Sequence, residues 1–315
     1  MTHTRSKNHT HSIMFHHFHG GHHPVGQGSL SSEDFDEMIG WLADRHYILS
    51  ANEYLHRLQK NSLKDSDICL SFDDALLCQA EIAVPVLRKH KLNVFFFVYS
   101  SPFCGDPDPL EIYRYFRSVM YDDIDFFYSE FFEETRRSYE SEYHWAENQY
   151  DCKIYLSEFP FYTENDKWFR FLRDQILKKK KYNDIMTSLM RRHSFDVKEA
   201  CEKLWMTNQH LRELSDAGHV VGLHSYSHPT MIHELNDGEQ ELEYRRNFEH
   251  LKATLGFAPY AMSHPCGNYN DSTLAILSKL GIKIGFRSNN SITSMRSHLE
   301  IPRDDHANIL KEMRR

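Results

Sequence analysis

No stretch of this chain approaches the roughly 18 consecutive apolar residues that a membrane-spanning helix needs, so no membrane span is expected. The opening MTHTRSKNHTHS is polar throughout and lacks the apolar region of a secretory signal. Excess positive charge is missing too: 37 Lys and Arg face 45 Asp and Glu, for a net charge of −8 and a pI near 6.3. That balance argues for no nucleic-acid partner, and the basic run RDQILKKKK at 173–181 reads as a solvated helix face. The six cysteines (69, 78, 104, 152, 201 and 266) contain no CxxC pair and no tight framework, which reads as reduced thiols in a cytoplasmic protein.

What is present is ordinary in bulk and unusual in two places. At 315 residues, with 40 % hydrophobic and 26 % charged, the chain can bury the core of one large α/β domain or two smaller ones. Histidine is abundant at 22 residues, several of them packed into FHHFHGGHHP at 15–24. Aromatic residues reach 13 % and concentrate between 110 and 205.

Ile13-Met14-Phe15 reads as a first strand running into the His/Gly loop, and Ser31-Ser32-Glu33-Asp34 as a helix N-cap before the periodic Phe35, Met38, Ile39 and Leu42. Ile68–Phe72 is the next strand, and Gln79–Lys89 a helix that Pro85 can kink. Val94–Val98 is a continuous apolar strand, the kind buried on both faces of a parallel sheet. Strand, helix, strand with short links is the repeat of an α/β fold. Over 102–206 that rhythm gives way to aromatic, acidic and then basic sequence at mostly helical spacing. A helical insertion is therefore expected there, separating 1–101 from 207–315. The rhythm resumes with a helix ending at Gly218, a strand at His219–Leu223 and a charged helix at Gly238–Leu255 stopped by Gly256. A short strand at Tyr260–Met262, a helix at Ser272–Leu280 and a strand at Ile282–Phe286 follow, and LEIPRDDHANIL is expected to hold a last strand and its loop.

Such folds gather their active sites at the C-terminal ends of the strands, and two sequences fall there. One is Asp73-Asp74, adjacent like charges closing a buried strand. The other is GLHSYSHP at 222–229, with His224 and His228 just past the strand. A four-residue gap puts both imidazoles on one side of a helical turn, within reach of one cation. Two imidazoles and a carboxylate make the three-ligand set of a catalytic zinc site with a position left for water. Neighbouring strand residues point to opposite faces, so Asp73 and Asp74 serve one site only where the strand gives way to a loop. One then binds the metal while the other takes a proton from water, and the cation keeps both ionised. Zinc is the default for these donors; cobalt or nickel would fit them too.

LSFDDA, FFFVYS, LSDAGHVVGLHSYSHP and SHPCGNYNDSTLAILSKLGI, in that order over 68–101 and 207–286, resemble the NodB-type polysaccharide deacetylases (carbohydrate esterase family 4). The resemblance implies a distorted (β/α) barrel and metal-dependent hydrolysis of an N-acetyl group on a sugar. It implies Asp73 as the catalytic base, and Asp74, His224 and His228 as the zinc ligands. SHPCGNYN matches the substrate-groove motif, implying Pro265, Gly267 and Tyr269 beside the substrate and a Cys266 N–H that helps hold the tetrahedral oxyanion. MFHHFH also resembles the family's first strand, which often carries a histidine after an aromatic. Three departures stand out. Ala75 occupies a usual glycine position. The arginine that usually orients the base has no counterpart in Ala261–His264, leaving Arg303 or Arg287 to substitute, or a base held differently. The late histidine that protonates the departing amine has no clean counterpart. His306, after the last expected strand, is the candidate, and a surface histidine is the other reading.

The expected function is thus a cytoplasmic N-deacetylase acting on an N-acetylated sugar: a glycan, or a nucleotide-linked or lipid-linked precursor in surface-glycan biosynthesis. Its rivals are an O-deacetylase or non-sugar amidase on the same site, a catalytically inactive carbohydrate-binding relic, and a histidine-rich metal store around 16–23. His16 and His17 end a strand that should point at the site and are placed at its substrate-binding rim. His19, His22 and His23 are expected in solvent. The aromatic insertion reads as a self-contained helical subdomain with its own core, or as a lid or glycan-stacking wall.

Overall fold

The computed structural model describes residues 11–156, 163–289 and 295–315. The chain divides into two compact units: Pro109–Glu202 is one, and the segments before and after it together make the other.

The larger unit is built on β1 (His11–Phe15), β2 (Tyr47–Ile48), β3 (Asp67–Asp73), β4 (Phe95–Val98), β5 (Val220–Leu223), β6 (Ala261–Ser263), β7 (Ile284–Phe286) and β8 (Arg303–Asp305). Their order is β7-β6-β5-β4-β3-β1-β8, with β2 beside the start of β3, and every pairing is parallel. Parallel neighbours need crossovers, which the intervening helices supply. The stretch 301–305 brings the two ends of this sheet together. Ile301 bridges Phe286 of β7, and two residues later Arg303–Asp305 pair with Ser12–Met14 of β1. The result is a nearly closed parallel barrel, thinnest where β5 and β6 share the single pair Leu223–Met262. Gly222 belongs at that seam, because a Cβ there would run into the Ala261 carbonyl.

The two-residue period of the strands sorts side chains between barrel interior and helical shell. Phe95 and Phe97 meet Phe286 at 5.0 and 5.4 Å, in a buried cluster with Tyr54, Cys69, Ala261, Ile284 and Ile301. Phe96 faces the other way onto Phe72 (4.8 Å), which packs on Phe15 and on Phe35 of the helix Ser32–Ala43. Alternation along β3 therefore puts Ser71 and Asp73 on the same face as Cys69, inside the barrel.

Three stretches differ from the sequence reading. Gln79–Lys89 opens with a π turn, Gln79–Ala83, before the α-helix Val84–Lys89. Pro85 has no N–H to give and its ring crowds the carbonyl of residue 81, which a wider turn relieves. Tyr47–Ile48 and the helix Ala51–Gln59, capped by Ser50, arise where no element was expected. His306–Met313 is a helix rather than a loop: Asp305 caps it by accepting the Ala307 N–H at 2.8 Å.

Within Pro109–Glu202, the helices Pro109–Met120, Ile124–Ser138, Glu140–Gln149, Glu164–Phe171 and Lys178–Arg192 enclose an aromatic core. The buried rings of Phe127, Phe131 and Phe169 contact one another at 4.9–5.8 Å. The buried Glu134 is paired with Arg137 and Arg192. Among the described residues, no helix is long and apolar enough to cross a membrane.

Candidate active site

β3 ends on Asp73, and the next two residues, Asp74 and Ala75, both adopt left-handed backbone with φ of 79° and 52°. This conformation costs a non-glycine residue about 1–2 kcal/mol and persists only where the surroundings impose it. Its effect is to stop the strand alternation, so both carboxylates reach one histidine. Asp73 Oδ2 lies 3.8 Å and Asp74 Oδ1 3.5 Å from His224 Nε2. A glycine would adopt the φ of Ala75 without strain.

His224 follows β5 with its backbone N–H shared between the Val98 carbonyl and Asn247 Oδ1, each at 3.0 Å. Its Nδ1 donates to the Ser263 carbonyl at 2.8 Å, which fixes the tautomer and leaves the Nε2 lone pair facing the carboxylates. Burial pushes the imidazole down to about 3 against the pull of Asp73, so it is neutral, as a ligand must be. The histidine pair does not lie on a helical turn. Ser225 and His228 are left-handed, with φ of 64° and 54°, and the loop is held from outside. Glu243, on the helix Asp237–Leu255, accepts the N–H groups of Tyr226 (3.0 Å) and Ser227 (2.8 Å) and the Ser227 hydroxyl. The two rings end 4.8 Å apart, with His228 Nε2 3.8 Å from Asp74 Oδ1. One donor atom each from Asp74, His224 and His228 lies within 4.8 Å of the others, a donor set that fits a zinc-class ion.

Asp73 is gripped from the other side. Arg303 Nη1 donates to Oδ1 at 2.7 Å and Nη2 to Oδ2 at 2.6 Å, a bidentate pair inside the barrel. The guanidinium also donates to Ser71 Oγ (3.2 Å), Ser263 Oγ (2.7 Å) and the Arg287 carbonyl (2.5 Å). Burial alone would raise the Asp73 carboxyl, but Arg303, with His224 beside it, holds it well below the usual carboxylate range. Arg287 meets this network through its backbone.

The remaining residues singled out in the sequence divide. His16 Nε2 stands 3.9 Å from Asp73 Oδ2, and burial lowers it to about 4. His17 stacks beside His16 at 6.4 Å. His306 is not brought to the cluster: its ring stacks on Phe15 at 5.7 Å and its Nε2 bonds the Gly28 carbonyl at 2.9 Å. Pro265, Cys266 and Gly267 form a tight turn after β6, left-handed at Cys266 (φ 52°) and Gly267 (φ 71°). Cys266 keeps an exposed surface, and desolvation followed by the charges of Asp74, Asp73 and Asp108 pushes its thiol up to about 11. A Cβ on Gly267 would strike Ser288. Tyr269 stacks on His264 at 4.3 Å and donates its hydroxyl to Glu300 at 2.9 Å. The sequence reading missed Glu243, Asn247, Ser263 and Gln79. Gln79 donates to the carbonyls of Asp73 (2.6 Å) and His16 (2.9 Å), tying the two loops together. No spacing signal marks any of the four.

Residues 177–285 match the family model described as polysaccharide deacetylase, a stretch that includes His224, His228 and the 263–270 turn but not Asp73-Asp74. Uncharacterized protein YlxY of Bacillus subtilis (strain 168) is 26 % identical over 97 residues, covering 30 % of this chain and 30 % of that relative's length. The Streptococcus pyogenes deacetylase PplD, solved in complex with acetate, aligns with a TM-score of 0.54 at 16 % identity, over 95 % of this chain and 93 % of its own. IcaB from Ammonifex degensii aligns at 0.54 and 15 % identity, over 94 % and 93 %. A de-N-acetylase from Aggregatibacter actinomycetemcomitans aligns at 0.53 and 11 %, over 93 % of each chain. At such identities the structural likeness is one of fold. The chain is thus similar in fold to solved polysaccharide deacetylases, and similar in sequence to that family over 177–285.

Proposed function

We propose that this protein is a metal-dependent hydrolase that removes an N-acetyl group from a sugar, glycan or nucleotide- or lipid-linked precursor in surface-glycan biosynthesis. One observation carries the reading: Asp74, His224 and His228 converge on one spot, with the Arg303-bound Asp73 alongside. A divalent ion held by those three residues, zinc by default with cobalt or nickel suited to the same donors, supplies Lewis acidity and acidifies water.

The chain's own residues do the rest. Asp73 accepts a proton from the attacking water on Oδ2, the oxygen that lies toward His224 and His16, while Arg303 holds the carboxylate in place through both oxygens. The same guanidinium makes Asp73 a weak base, so it acts only on water that is already acidified. Water's oxygen bonds to the acetyl carbon, the C–N bond breaks, and the amine leaves with a proton. His16, 3.9 Å from Asp73 Oδ2, relays that proton in place of His306, whose Nε2 is bonded to the Gly28 carbonyl. The Cys266 N–H, in its left-handed turn, is assigned to the oxyanion, and Pro265, Gly267 and Tyr269 to the groove wall.

Asp73→Asn should retain its metal while acetate release from N-acetylated oligosaccharides falls by at least about 100-fold, the scale of general-base catalysis. Full turnover by a metal-loaded variant would remove Asp73 from the role. Assaying free amine alongside acetate separates the chemistry: acetate without amine identifies an O-deacetylase.

A further inference from the structure

The histidine-rich loop after β1 is not a free polar segment. Leu30 N–H bonds the His17 carbonyl and His19 N–H the Leu30 carbonyl, at 3.1 and 2.9 Å, and His19 Nδ1 meets Ser29 Oγ at 2.8 Å. Gly20 and Gly21, with φ of 137° and 60°, then fold the chain back, so that Gly20 and His23 exchange backbone hydrogen bonds at 3.1 and 3.0 Å. This corrects the expectation that His23 lies in solvent: it is only 8 % exposed. The fold-back also sets two imidazoles side by side, with ring centroids 4.2 Å apart. Both aim at one carboxylate oxygen: Glu81 Oε2 is 2.7 Å from His23 Nε2 and 3.2 Å from His22 Nε2.

Glu81 belongs to the π turn Gln79–Ala83, an element that recurs at functional sites because it displaces side chains from helical register. A Cβ on Gly20 would touch Ile82 at 3.8 Å, so the fold-back packs against this same turn. Two imidazole nitrogens and a carboxylate oxygen thus converge within 4.8 Å, outside the cluster of Asp74, His224 and His228.

We propose that His22, His23 and Glu81 form a second divalent-metal site, of zinc-class N2O donor chemistry, that clips the loop after β1 to the π turn after β3. Its position gives it a structural consequence. The π turn also carries Gln79, which bonds the carbonyls of His16 and Asp73. An ion at His22, His23 and Glu81 therefore braces the two segments that carry His16 and Asp73 without touching either.

The test uses the full chain with Asp74, His224 and His228 all replaced by Ala, so that the proposed active-site ion is removed and cannot contribute. Zinc titrated into this variant against a chromophoric chelator should fill about one site per chain and raise Tm. Adding Glu81→Gln, a substitution at an exposed position, should abolish that site and the Tm rise while leaving the metal-free Tm unchanged, and His23→Ala should do the same to binding. The other histidines of the N-terminal region offer no Glu81-dependent binding, so this variant separates a built site from loose collection of metal by histidine. Zinc uptake that survives both Glu81→Gln and His23→Ala, absence of uptake in the triple-Ala chain, or uptake without a Tm rise would each overturn the proposal. Because its readouts are binding and Tm in a chain lacking the proposed catalytic ligands, its failure leaves the deacetylase reading untouched.

Discussion

Arg303 is fully enclosed, and its charge is tolerable there because Asp73 meets it with two short bonds while Ser71, Ser263 and the Arg287 carbonyl accept from the remaining donors. Removing one partner of such a pair leaves the other charged and unsolvated. Arg303→Met should therefore lower the unfolding free energy by about 3–5 kcal/mol. The double variant Asp73→Leu/Arg303→Met should regain a large part of that loss in denaturant melts. A single variant within about 1 kcal/mol of wild type would mean that the pair is not the stabilising unit. The sequence could mark Asp73 as a charge ending a strand, but these partners stand 230 residues apart, where no periodicity connects them. What could be read was a gap: no arginine in Ala261–His264, with Arg303 and Arg287 as the residues able to fill it.

Among the elements, the continuous apolar run Val94–Val98 was legible because a strand buried on both faces leaves no polar residue in its pattern. The π turn was not, since Pro85 signals a disturbed helix without saying how the disturbance resolves. The spacing of His224 and His228 marked the pair but suggested a helical turn, whereas Glu243 holds them on an irregular loop. Glu243→Ala frees two backbone N–H groups and the Ser227 hydroxyl that it now accepts. Metal affinity at the proposed Asp74, His224 and His228 site should fall about 10–100-fold, as is usual when an outer support is lost, with the three proposed ligands themselves unchanged. Unchanged affinity in a competition titration would show that the loop holds itself. At the β5–β6 seam, Gly222→Ala drives a methyl against the Ala261 carbonyl, and overpacking of this kind should destabilise the fold by about 1–3 kcal/mol in thermal or denaturant melts. No loss there would mean that the seam has slack.

For the molecule as a whole, acid is the expected weakness. His219 and His264 are buried and lowered to about 4, by burial first and, for His219, by Arg88 second. Unfolded, each titrates near 6.5, so between those values the unfolded chain binds more protons. Their contribution is complete above about pH 6.5 and is lost as pH falls toward about 4, at up to about 1.4 kcal/mol per pH unit for each histidine. Asp73, held below its ordinary range, adds stability that is lost only at still lower pH. Denaturant melts of chelator-treated protein between pH 7.5 and 4.5 should show this decline, and a flat profile would contradict it.

The pairing of Ile301 and β8 with β7 and β1 also has a consequence in time. Asp73 leaves the ribosome 230 residues before Arg303 does, a delay of roughly ten to fifty seconds at ordinary rates of synthesis. Until then the barrel is an open sheet, and the carboxylate at its mouth has no counter-charge to hold it ionised and aimed. The strand that completes the wall is the one that delivers the guanidinium, so the nascent chain has no oriented Asp73 before its barrel can close.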